Sequence, residues 1–245
     1  MQHVRSSALV ATVAAAGLAC PGTAGAEVTQ DFDVSISPAR AGVPVTVGFK
    51  SGTKESTPGL MPPTVETVEV YFPQGSVYNG GLFPRCRGAD ISAERTTEGC
   101  PKASILGVGR GIALAPGGVV QDDITVTAVN GGPSTANLFL EGVSPVRLQS
   151  NLVARMTRTT GAYGVKLSAT IPPNMREPAP GVKVALGLFS TKIAGTIVKD
   201  GRKRGIVEIR SCKTGTWKMK GVFTFDDGQR ITVYDTVKCR PAKAS

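Results

Sequence analysis

The chain has 245 residues, 41% hydrophobic and 19% charged, with 30 glycines and 17 prolines, and a mean hydropathy near zero. This excludes a wholly disordered chain and argues for frequent turns instead of long helices. The formal charge is +10 and the single histidine is His3, so most acid–base schemes lose their commonest proton carrier.

The first 26 residues carry a basic start ending at Arg5, an uncharged apolar run over 8–19, and Ala24-Gly25-Ala26. This is the pattern of an export leader cleaved before Glu27, and the run is too short for a hydrocarbon core about 30 Å thick. Cys20 raises a rival in which that cysteine is lipidated and becomes the new N-terminus, but Gly17 stands where such signals usually want leucine. The chain from Glu27 is expected to be secreted, either extracellular or associated with the cell envelope. No later stretch reaches the roughly 18 consecutive apolar residues of a membrane span.

From there, alternation of period two recurs to the end of the chain. It begins with Phe32, Val34 and Ile36, then Val43, Val45, Val47 and Phe49, then 65–72, with Pro58, Pro62 and Pro63 marking a loop. Ser51-Gly-Thr-Lys54 and Lys213-Thr214-Gly215 match two penicillin-binding elements in letters, but that machinery starts a helix at the serine, and here Gly52 follows a strand. Further strands are expected at 105–114, 124–129 and 136–143. Gly107-Val-Gly-Arg-Gly111 lies inside the first of these with no helix after it, so it reads as a glycine-bearing strand and not as a phosphate loop.

Residues 145–157 tempt a helical reading through Ser144-Pro145 and a 3.6 period. Alternation fits better, placing Val146, Leu148, Leu152, Ala154 and Met156 on one face and Arg147, Gln149, Asn151 and Arg155 on the other. Strands at 163–171, 182–189, 193–198 and 206–209 follow, with a proline loop at Pro172, Pro173, Pro178 and Pro180. Asp226-Asp227-Gly228 then makes a turn between 217–225 and 231–237, which form a hairpin. About a dozen short strands define an all-β chain of immunoglobulin-like antiparallel β-sandwich architecture. The break near Gly142 divides it into tandem sandwiches at 27–143 and 144–245, although a single larger sandwich fits almost as well.

Four cysteines follow the leader: Cys86, Cys100, Cys212 and Cys239. An even number in an exported chain reads as two disulfides, and no close ligand spacing supports a metal site. Counting back from the turn at Asp227 sets Cys239 opposite residue 215, within reach of Cys212. Cys86 and Cys100 bracket a charged, threonine- and glycine-rich loop that a bridge would staple.

Phe83-Pro-Arg-Cys86, Gly99-Cys-Pro-Lys-Ala-Ser-Ile-Leu-Gly-Val-Gly109, 163–173, Glu177-Pro-Ala-Pro-Gly181 and Phe223-Thr-Phe-Asp-Asp-Gly228 resemble predicted secreted proteins of actinobacteria over most of the chain after the leader. The resemblance implies export and a β-sandwich fold, and brings no activity to any residue.

Asp122-Asp123 and Asp226-Asp227 are adjacent in sequence and point apart in extended chain, and Glu141 has no identifiable partner. A glycosidase pair is therefore not visible. Neither Asp pair has the spaced oxygen ligands of a calcium loop, and no cofactor is expected. Aromatic residues are scarce, and Trp217 reads as core packing beside a disulfide. Charge is uneven: residues 199–245 carry 12 basic and 5 acidic side chains. Lys199, Arg202, Lys203 and Arg204 cluster around Gly201 at an expected hairpin tip, where weak attraction to an anionic cell-wall or extracellular polymer is anticipated, without sequence-specific nucleic-acid binding. The expected function is that of a non-catalytic structural or binding protein outside the cell. A histidine-free, carboxylate-dependent glycan hydrolase is the alternative.

Overall fold

The computed structural model describes residues 28–57, 60–116, 120–142 and 147–242. Residues 1–27, with the expected leader, Cys20 and Glu27, lie outside them, as do Pro58 and residues 143–146. The N-terminal half contains β1 (Val28–Ser37), β2 (Pro44–Glu55), β3 (Val65–Pro73), β4 (Ser76–Tyr78), the helix α1 (Gly88–Glu94), β5 (Ile105–Leu114), β6 (Val120–Gly132) and β7 (Thr135–Gly142). There follow β8 (Leu148–Arg158), β9 (Tyr163–Thr170), α2 (Pro173–Arg176), β10 (Ala185–Ile193), β11 (Thr196–Lys199), β12 (Arg202–Gly205), β13 (Val207–Ile209), β14 (Thr216–Phe225) and β15 (Arg230–Lys238). The chain is all-β and its sheets are antiparallel, as the alternation requires.

The two halves do not form separate sheets. The order β15-β14-β3-β9-β8-β7-β6-β5-β10-β2, with β1 on β2, places β3 between β9 and β14, and β10 between β5 and β2. Each half therefore supplies ladder partners to the other, and the expected division at 143/144 does not divide the sheet. Local alternation reveals that a strand exists but not which strand lies beside it.

Eleven strands make this path, so ten antiparallel steps bring β15 and β1 into the same direction. If the sheet closes, that junction must be parallel. It does close at one end: Arg40 and Arg240 form a parallel bridge, with Arg240 N–H donating to Ala39 O and Ala41 N–H to Arg240 O, both at 2.9 Å. Farther up the seam a side chain replaces the ladder, Val34 N–H donating to Asp235 Oδ2 at 2.7 Å. Opposite walls thus face each other across one apolar interior, as two sandwich layers do.

Several local features differ from expectation. The strand anticipated at 193–198 breaks after Ile193, because Ala194 N–H donates to Leu106 O and Gly195 O accepts from Ile206 N–H. β11 then leaves the main sheet and pairs only with β12. The loop between Cys86 and Cys100 contains α1, anchored by Ile91, which is 1% exposed and packs with Val129 and Phe139. Glycines in β5 have a packing reason: a Cβ on Gly107 or Gly109 would collide with the Lys192 or Ser190 carbonyl oxygen of β10.

Both expected disulfides are present, Cys86–Cys100 with Cα atoms 5.3 Å apart and Cys212–Cys239 at 6.1 Å. The hairpin register pairs Thr216 with Lys238, and Cys239 N–H donates to Gly215 O at 2.9 Å. Trp217 is buried beside this bridge, with Met219 and Ile209, and its Nε1–H donates to Ser211 O at 2.7 Å.

Candidate functional site

Strand register fixes two ends for the closed sheet. The upper end holds Leu114, Ala185, Val65 and Phe225, and the lower end holds Ile193, Pro73 and Thr216. Inward positions on five of the strands are apolar: Val68 and Val70 on β3, Leu138 and Leu140 on β7, Leu152 and Ala154 on β8, Leu167 and Ala169 on β9, and Phe223 on β14. Outward positions carry charges, including Arg110 with Asp123 and Lys54 with Asp31.

These walls do not meet. They line a cavity of about 240 Å³ between them. The lining is mostly apolar, so most of it offers ordered water none of the two to four bonds each needs. A volume of this kind is suited to an apolar ligand.

Polar groups at the boundary are few. At the upper rim Gln30 Nε2–H donates to Ser51 Oγ at 2.7 Å and Gly52 O at 3.1 Å, while Thr53 Oγ1–H donates to Gln30 Oε1 at 2.8 Å. Thr64 Oγ1–H donates to Val184 O at 3.0 Å. Ser76 and Thr191 line the lower half, and their buried hydroxyls have no partner. Among the described lining residues Arg176 is the one charged side chain. It bonds Glu66 at 3.0 Å, and its Nε is buried without a partner.

Residues 171–184, with α2, cross the upper end, where Ile171, Met175, Pro178 and Val184 face the cavity. This strap is fastened by Arg176 to Glu66 and by Lys183 to Asp226 at 2.6 Å. The lower end is closed by β4 and β13, which pair with each other, and by Asn130. Its Nδ2 donates to the carbonyls of Gly80, Phe83 and Pro84, and its Oδ1 accepts from Tyr78 and from Gly132 N–H. Burial raises the Tyr78 phenol pKa above its ordinary value.

The basic cluster is the anticipated hairpin, with Gly201 at φ 69°. Lys199, Arg202 and Lys203 are exposed, but Arg204 is engaged. Its Nε and Nη2 bond Glu208 at 2.9 and 3.2 Å. Glu208 is 7% exposed. Burial opposes its ionisation, but Arg204 and the Gly205 N–H outweigh burial and hold the carboxyl below its usual range. The sequence reading placed Arg204 with the other cations and did not find Glu208, four residues along.

The other candidate residues are not brought together. Ser51 sits toward the upper end, bonded to Gln30 and Asp31 O, whereas residues 213–215 lie at the lower end beside the Cys212–Cys239 bridge. Glu141 Oε1 accepts from Gln149 at 3.0 Å, and Asp123 is held below its usual range by Arg110. No group of three metal-ligating side chains occurs among the described residues, and no helix there is long and apolar enough to cross a membrane. No protein-family model, curated protein or solved structure matches the chain.

Proposed function

We propose that the protein is exported and acts outside the cytoplasm as a non-catalytic binding protein, holding an apolar ligand inside its closed sheet. The observation that carries this reading is the cavity of about 240 Å³ with apolar walls. Export is supported by the leader pattern before Glu27 and by two disulfides, which persist in oxidising compartments. The glycan-hydrolase alternative has less support, because no described residue lining the cavity is a carboxylate. Intact mass of the exported chain is expected to begin at Glu27, and a diacylglycerol mass on Cys20 would mean a lipoprotein instead.

The test is titration with the neutral fluorophore N-phenyl-1-naphthylamine for wild type and Leu152→Trp, with urea unfolding as the folding control. The wild type is expected to bind and to enhance the probe's emission. Filling the cavity should weaken binding by about tenfold or more, since 1.4 kcal/mol is a factor of ten and a displaced apolar side chain contributes more than that. Equal titrations for the two proteins, with Leu152→Trp folded, would remove the cavity from the account.

A further inference from the structure

The chain has only four tyrosines. Tyr78 is at the lower end, and the other three gather on one outer face. In the register of β15, β14, β3 and β9, Tyr234 stands opposite Lys220, Lys220 opposite Tyr71, and Tyr71 opposite Lys166. This forms a single row across four strands. Tyr163 lies beside the row, its ring centroid 5.5 Å from that of Tyr71. The Lys220 ammonium sits 3.8 Å from the Tyr71 centroid and 5.3 Å from that of Tyr163. Two aromatic rings therefore hold that charge in place. Tyr234, next across the sheet, is 68% exposed and offers an open ring.

The charge of this face is one-sided. Lys218 and Arg230 continue the outward positions of β14 and β15, while Glu69 is the one acid among the outward positions of β3, β9, β14 and β15. Glu69 is shared between Lys166 at 2.7 Å and Arg230 at 3.8 Å, and the Lys166 bond holds its carboxyl below the ordinary range. A cation fixed on aromatic walls beside an exposed ring has the chemistry to take a sugar ring with its acid group, the ring stacking and the acid meeting the ammonium.

We propose that this face, centred on Lys220 and Tyr234, binds an anionic polysaccharide, and that it does so in preference to the basic hairpin at 199–204. The hairpin has exposed cations but no aromatic ring, and Arg204 is already bonded to Glu208. Single-stranded nucleic acid also uses aromatic rings and cations, but the leader and the disulfides favour a partner outside the cytoplasm.

The test is binding of the full exported chain to immobilised polygalacturonate, with dextran as a neutral control and poly(dT) as a nucleic-acid control. The proteins are wild type, Tyr234→Ala, Lys220→Ala and Lys203→Ala, each checked by urea unfolding. Wild type is expected to bind polygalacturonate, to ignore dextran, and to weaken as salt rises. Tyr234→Ala leaves net charge unchanged and should weaken binding about fivefold or more, and Lys220→Ala about tenfold. Lys203→Ala should change it less than about twofold. Full binding by Tyr234→Ala, equal losses for Lys220→Ala and Lys203→Ala, or tighter binding to poly(dT) than to polygalacturonate would each overturn the proposal.

Discussion

The two ends of the closed sheet are sealed by different chemistry. At the lower end lie the Cys212–Cys239 bridge, Trp217, the β4–β13 pair and Asn130 with its bonds to three carbonyls. The second bridge, Cys86–Cys100, packs through Val129 and Phe139 onto the same end of β6 and β7. Across the upper end passes a proline-rich strap held by two ion pairs, by Thr64 to Val184, and by Met175 and Pro178 over the cavity. Covalent links and buried amides make a floor that opens only with the fold, whereas partly exposed ion pairs fasten a cover through local contacts. Exchange of a bound molecule is therefore expected at the upper end.

The largest effect belongs to the floor. Replacing Cys212 and Cys239 together by serine should lower stability by about 3 kcal/mol or more, in line with the loop that the bridge closes. Urea unfolding under non-reducing conditions measures it, and release of the naphthylamine probe should stay close to wild type. Faster release with little lost stability would reverse the assignment of the two ends.

Glu208 gives a smaller effect with a definite pH signature. Glu208→Gln removes the ion pair to Arg204 and should cost about 2 kcal/mol near neutral pH. Because the folded carboxyl is held below its ordinary value, near 4.3 when unfolded, its contribution is complete above that value. It is lost as pH falls through the folded one. The difference between wild type and Glu208→Gln should thus shrink from pH 7 toward pH 3 in urea titrations. A pH-independent difference would mean that packing, and not ionisation, holds the hairpin.

The floor was more legible in the sequence than the cavity. Cysteine count and the Asp226-Asp227-Gly228 turn give Cys212–Cys239 directly, since a hairpin register is local. The alternation of 145–157 sorted Leu148, Leu152, Ala154 and Met156 onto one face, and all four line the cavity. That the walls stand apart depends on which strands neighbour one another, and the pairing of β3 with β14 joins Val68 to Phe223 across more than half the chain. No local pattern encodes such a distance. The tyrosine row was hidden for the same reason: Tyr71, Tyr163 and Tyr234 are dispersed in sequence and meet only through register.

The smallest stability effect and the sharpest test of the comparison lie in the strap. Lys183 is 59% exposed and Glu66 41%, so each ion pair is a weak contact screened by solvent. Lys183→Ala and Glu66→Ala should barely move the unfolding midpoint. Both pairs bridge the strap to the rim and are broken when it lifts, so their loss falls on the closed state alone. The fraction of open molecules should rise by up to about fivefold for each pair. Stopped-flow release of the naphthylamine probe is expected to quicken by that factor, and added salt should quicken release from wild type more than from the double variant. If release is instead unchanged in Lys183→Ala and Glu66→Ala but quickened by Asp235→Asn, ligand passes through the β1–β15 seam, where Val34 N–H depends on the Asp235 side chain, and the upper strap is a fixed roof.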